Sequence, residues 1–183
     1  SAQTALFIIT DAMLRWMAPF LSFTAEEAWQ IFDHQTSSKD TIFTETYAVI
    51  AKAKDHDVLL QKWARVREIR AEITKAIEVE REAGKIGSSL QAEIVVGVNA
   101  EDAKALNSLA DDLKFVTITS AASVETNDDV GTPLSVKVNA SSKTKCGRCW
   151  HYRDEVGQVS EHPSLCGRCI SNLFGDGEKR QFA

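Results

Sequence analysis

"KCGRCWHY" at residues 145–152 and "LCGRCISN" at residues 165–172 use one four-residue phrase, CGRC, twice. The chain's four cysteines, Cys146, Cys149, Cys166 and Cys169, form the pattern C-x2-C-x16-C-x2-C. Paired C-x2-C turns at this spacing are a zinc signature. Zinc takes four soft ligands in a tetrahedron, and each turn supplies two. Four thiolates leave no open position, so the expected zinc is structural and not a Lewis acid. Rubredoxin-like iron is the alternative metal. His151 and His162 lie in the same stretch; with the shell complete, they are expected on the surface. Gly147 and Gly167 are expected to let the chain turn sharply. Arg148 and Arg168 hold the same place in each turn. They either offset the negative charge of a metal tetrathiolate or reach outward to phosphates. Roughly forty residues cannot build a core alone, so metal, Trp150 and Tyr152 are expected to hold this module together.

Upstream of the cysteines the pattern changes twice. "TALFIITDAMLRWM" (4–17) reads as a mostly apolar helix ending before Pro19. In "FTAEEAWQIF", Thr24 and Glu27 form a capping box, which predicts a second helix from Thr24 with Ala28, Ile31 and Phe32 on its buried side. Residues 36–55 read as polar and irregular. A long helix over about 57–83 carries the stripe Leu59, Trp63, Val66, Ile69, Ile73 and Ile77, and Gly84 and Gly87 end it. Trp16, Trp29 and Trp63 are expected in the core. From residue 88 the period becomes that of strands. Leu90, Ala92, Ile94, Val96 and Val98 alternate, Asn99 caps a short helix to about Asp112, "KFVTITSAASVET" reads as one or two strands, and Leu134, Val136 and Val138 alternate again. "SSKTK" reads as a linker.

The expected fold is therefore α+β in three parts: helices over 1–87, a small β-α-β-β unit over 88–142 and the cysteine module over 143–183. No apolar run approaches the ~18 residues of a membrane span. No charged start leads into an apolar stretch, so neither secretion nor disulfides are expected, and the location expected is cytoplasmic. The chain begins Ser-Ala-Gln and reads as a piece of a longer protein. Its formal net charge of −5 is uneven. Residues 62–85 and 143–183 each hold seven Lys/Arg against five Asp/Glu. Local basic stretches on an acidic chain fit a selective RNA contact better than general polyanion binding; ordinary solvated surface is the competing reading.

The segments "CGRCWHYRDEVG" and "LCGRCISNLFGDGEKRQFA" resemble the C-terminal zinc module of bacterial isoleucyl-tRNA synthetases. "LRWMAPFLSFTAEEAWQ" is similar to the helical anticodon-binding domain of class I synthetases for branched aliphatic amino acids. "VREIRAEITKAIEVEREAGKIGSSLQAEIVV" resembles that domain's last long helix and the passage into the small α/β unit. The resemblance covers essentially the whole chain and implies a fold: a helical anticodon-binding bundle, a small α/β unit and a four-cysteine zinc ribbon. It implies a monomeric parent enzyme that activates isoleucine with ATP and transfers it to isoleucine tRNA. The class I signatures His-x-Gly-His and Lys-Met-Ser-Lys-Ser do not occur here, so ATP binding belongs to a catalytic domain outside this sequence, and no catalytic residue is expected. RNA contacts are expected from Arg67, Arg70 and Arg81 on the long helix and from Arg148, Arg153, Arg168, Lys179 and Arg180 in the module. An ion-pair-laced solvated helix competes for the first three. Two other readings remain: the DNA-binding zinc finger of a formamidopyrimidine-type glycosylase, and a scaffold for protein docking.

Overall fold

The computed structural model describes residues 2–32, 41–127 and 134–178. These fall into two compact units, one up to His56 and one from Asp57.

In the first unit, helix α1 (Ala2–Met17) is followed by α2 (Ser22–Ile31). The turn between them sets where α2 begins. Ser22 Oγ donates to the Ala18 carbonyl at 3.0 Å, and the Ala25 N–H donates to Leu21. Thr24 therefore lies inside the helix, and the expected capping box does not form. The buried stripe of α2 is Ala25 and Trp29, four residues apart. Ile31 is 84% exposed, which corrects the predicted face. Trp29 packs with Leu14, Ala18 and Ile42. Glu26 carboxylate accepts from the Ile42 N–H at 2.9 Å and from Thr41 Oγ1 at 3.0 Å, pinning the single helical turn Ile42–Thr44 onto α2. Trp16 remains 46% exposed, contrary to its expected core position.

The second unit is built on helix α3 (His56–Glu82). Its buried residues are Val66, Ile69, Ile73 and Ile77; Leu59 and Trp63, read as part of the stripe, stay exposed. Gly84, with φ at +72°, closes the helix. Its N–H donates to Arg81 and the Lys85 N–H to Glu80, a paired termination that needs a left-handed residue. Strand β1 (Ala92–Val98) follows, then α4 (Ala100–Asn107), α5 (Leu113–Thr117), β2 (Ala121–Thr126) and β3 (Ser135–Ala140). The sheet order is β2-β1-β3, with β1 parallel to β2 and antiparallel to β3. Ala92, Ile94, Val96 and Val98 are all buried, as their alternation predicts. They share one core with the α3 stripe and with Ala103, Leu106, Leu109 and Leu113. In packing, α3 is thus the helical cover of the sheet. Gly97 sits where a Cβ would collide with Ser135 Oγ.

Asn99 caps α4 as expected, its side chain accepting from the Asp102 N–H at 2.9 Å. The helix ends at Asn107, and a separate single turn spans Ala110–Asp112. "KFVTITS" corrects its strand reading. Lys114–Thr117 is helical, and Ile118 takes the left-handed position after it, with φ at +57°. The β-branched residues of this run suit a strand, but burial of Leu113 and Thr117 one turn apart selects the helix. The Thr119 N–H donates to Lys114 and the Ile118 N–H to Phe115, so Ile118 occupies the place glycine usually takes.

Candidate metal centre and the surface around it

"SSKTK" is not a plain linker. Ser141 Oγ donates to Glu93 at 2.7 Å, and Lys143 pairs with Glu93 at 3.1 Å, fastening the segment to β1. Strand β4 (Thr144–Lys145) then pairs antiparallel with β5 (Tyr152–Arg153), and the first C-x2-C turn joins them. The turn closes by backbone bonds, Trp150 N–H to Cys146 O at 3.0 Å and Cys146 N–H to His151 O at 2.9 Å. The second pair sits at the start of α6 (Gly167–Phe174), with Cys166 as the residue before the helix and Cys169 in its first turn. The Gly147 N–H donates to Ser164 O at 2.8 Å, binding one turn to the other.

The four sulfur atoms lie within 4.8 Å of one another. Cys149 and Cys166 Sγ are 3.7 Å apart. A tetrahedron with zinc–sulfur distances of about 2.3 Å has sulfur–sulfur edges of about 3.8 Å, so the donor set fits one tetrahedral zinc. Cys146, Cys166 and Cys169 are completely buried, with Val156 beside them and Leu165 and Cys149 at the margin. The chain thus carries a closed four-thiolate site for one structural zinc, as its spacing predicts. Its electrostatics favour ionised sulfur at one corner. Burial pushes the Cys146 thiol up, but the backbone N–H groups of Cys149, Cys166 and Arg148 aimed at it prevail and bring it to about 6. Burial pushes Cys149 up, and Cys166 up to about 12; coordination itself deprotonates such thiols.

The other module residues depart from expectation. Gly147 and Gly167 have ordinary backbone angles, and a Cβ at either would meet only normal contacts. The left-handed residue of the first turn is Trp150, with φ at +65° and 58% exposure. Lys145 Nζ lies 5.4 Å from its ring centroid. His151 is buried, not superficial. Its Nδ1 lies 3.1 Å from Cys149 O, and its ring meets Phe115 edge-on. Its pKa is held below the usual histidine range, first by burial and further by Arg153, Arg168 and Lys114. His162 stacks on Phe174 at 4.1 Å.

The candidate RNA contacts separate by environment. Arg67 is exposed, with Nε donating to the Trp63 carbonyl. Arg70 turns inward and donates to Val116 O at 2.7 Å, tying α3 to α5. Arg81 is exposed and paired with Glu78. Arg148 is exposed and reaches back to Cys169 Sγ at 3.7 Å, where it offsets thiolate charge. Arg168 does not touch sulfur. It pairs with Glu178 at 2.6 Å and lies over the Phe115 ring. Arg153 is half-buried on β5. Lys179 and Arg180 lie outside the described residues. Sequence reasoning missed Phe115 and Lys114, because both sit in the run it read as strand.

The family model for the anticodon-binding domain of tRNA ligase matches residues 1–96, through both helices of the first unit, α3 and most of β1. The chain belongs to this family. A second model, a zinc finger found in FPG and IleRS, matches residues 144–172 and so covers the metal centre. An isoleucine–tRNA ligase of Cupriavidus taiwanensis is 56% identical over 183 residues. One of Cupriavidus metallidurans is 58% identical over 182 residues, and one of Ralstonia pickettii 55% over 183. Each comparison covers the whole of this chain and 19% of the relative, so this member of the anticodon-binding family spans about a fifth of their length. Among the described residues, no helix is long and apolar enough to cross a membrane.

Proposed function

We propose that this chain is the tRNA-handling C-terminal portion of an isoleucine–tRNA ligase. The observation that carries the reading is the 55–58% identity to isoleucine–tRNA ligases along essentially every residue, with the anticodon-binding match and the zinc finger in one chain. The finger alone is shared with FPG; the match over 1–96 favours the synthetase. The whole enzyme would join isoleucine to its tRNA using ATP in the cytoplasm, as a monomer. This portion would hold the tRNA and contribute no catalytic group.

The physical logic is one of distance. A catalytic site cannot sense the anticodon directly, so a separate part must bind that end and orient the molecule. Single-stranded bases are read by stacking on aromatics and by hydrogen bonding. Trp150 suits this role: it is exposed, close to Arg148 in the same turn, and held on left-handed backbone. The residues of the cysteine turns would hold zinc, which when bound cross-links the two turns and makes that projection rigid. The three-part organisation 1–87, 88–142 and 143–183 belongs to the same proposal.

Equilibrium binding of the zinc-loaded chain to isoleucine tRNA and to valine tRNA, at two salt concentrations, tests the reading. A preference for isoleucine tRNA that survives the higher salt is the expected result. Absence of binding to either, at any salt, would sink it.

A further inference from the structure

A second constellation lies where the zinc module meets the sheet, and it is centred on Phe115. Arg168 Cζ is 4.7 Å from the Phe115 ring centroid and Lys114 Nζ is 5.3 Å from it. His151 meets the ring at 5.5 Å with the planes at 77°. Arg153 lies on β5, two residues after the His151 that meets the ring, and its charge acts on both His151 and Lys114. Three half-buried cations therefore share one small region. Arg168 is paired, through Glu178. Lys114 and Arg153 have no carboxylate within ion-pair distance among the described residues, although Asp111 and Asp112 act on Lys114 from further off. Burial, and then Arg153 and Arg168, push the Lys114 pKa down.

Clustering like charges in a partly desolvated place opposes folding unless something anionic shares the site; Glu178 and the thiolates of Cys149 and Cys169 serve Arg168, which leaves Lys114 and Arg153 without a close anion among the described residues. Nothing in the fold of α5 or β5 requires these cations to converge. The aromatic ring explains how they are held, since cations over a ring gain from its negative face. It also limits what they can recognise. With two cations against it, the Phe115 ring is not free to stack a base, so the ligand is recognised by charge alone.

We propose that Lys114 and Arg168, gathered on Phe115, together with Arg153 on the adjoining strand β5, form a binding site for the phosphate groups of an RNA strand. The proposal rests on the tRNA-handling reading and assigns this site sequence-independent grip, leaving base discrimination to other residues. Two of the three cations were candidates by position in the cysteine module; Lys114 and the aromatic platform come from the fold.

The test compares the zinc-loaded chain with its Lys114→Gln/Arg153→Gln variant. The variant should bind isoleucine tRNA and valine tRNA more weakly by the same factor. The slope of log affinity against log salt should become shallower by about 0.7–1 for each phosphate no longer neutralised. Zinc content and far-UV dichroism should not change. Unchanged affinity and slope in the variant, with the wild type binding tRNA, would overturn the site and leave the tRNA reading standing. A second arm needs no variant: a short single-stranded RNA of uridines is titrated into isotope-labelled wild type. Shifts of the Lys114 and Arg153 side-chain resonances are expected. If tRNA does not bind but these shifts occur, the tRNA reading falls and the phosphate site survives. If the shifts map elsewhere or are missing, the site falls whatever tRNA does.

Discussion

The Tyr152 backbone N–H donates to Ser120 Oγ at 2.6 Å, across 32 residues of sequence. Ser120 is buried, and the same hydroxyl donates onward to the Leu90 carbonyl. One hydroxyl thus links the strand that follows the first cysteine turn to the sheet that supports it. Replacing Ser120 by Ala leaves a donor and an acceptor unsatisfied, which costs about 2–3 kcal/mol. Denaturant unfolding of Ser120→Ala should show that loss while zinc stays at one per chain. A stability within experimental error of wild type would mean the module does not depend on this bond.

Arg65 grips Asp102 with two hydrogen bonds of 2.7 Å, while Asn99 Nδ2 adds a third at 3.0 Å. The Arg65 guanidinium, before any other cause, holds the Asp102 carboxyl below the usual aspartate range. A carboxyl depressed in the native state favours folding when ionised. That contribution is full above the unfolded value of about 3.9 and is lost as pH falls through the lower native value. Arg65 is half-exposed, so solvent screening limits the pair to about 1 kcal/mol. Asp102→Asn should lower stability at pH 7 and flatten the acid limb of the stability–pH curve below pH 4. An acid limb that keeps its wild-type steepness would assign it to other groups.

Metal removal should act locally. Binding to such thiolate sites is worth about 10 kcal/mol or more in small zinc modules. Chelation, or Cys146→Ser, should release the metal and change the near-UV signal of Trp150 and Tyr152. The far-UV signal of α3, whose core is formed with the sheet, should persist. Retention of one zinc at unchanged affinity by Cys146→Ser would remove Cys146 from the ligand set.

Ile118 takes a left-handed backbone at 44% exposure, a position that disfavours a β-branched residue by roughly 1–2 kcal/mol. Ile118→Gly should relieve that strain, less the entropy glycine loses on folding, and raise stability by about 0.5–1 kcal/mol. A lower melting temperature would show that the Ile118 side chain contributes more through packing than its backbone loses.

Trp150→Ala separates base stacking from folding. Removing one stacked base weakens binding by about 1–3 kcal/mol. The variant should bind tRNA more weakly with zinc content intact. Normal tRNA affinity would make Trp150 a surface residue without a role in RNA binding.

Local patterns were enough where the physics is local. The C-x2-C spacing determined the metal site, since four thiolates on two short turns have few alternatives. The alternation of Ala92, Ile94, Val96 and Val98 determined a central strand, Asn99 its following helix start, and Gly84 the end of α3, because each answers to its neighbours' hydrogen bonds. Tertiary packing decided what propensity left open. "KFVT" became helical because Leu113 and Thr117 are buried together, and α2 shifted its face because Trp29 fills the core that Ile42 closes. Arg70 and Arg168 look alike as surface cations in sequence. Only the fold turns one to the Val116 carbonyl and the other over Phe115, since those distant partners are placed by burial and not by any pattern near the arginines.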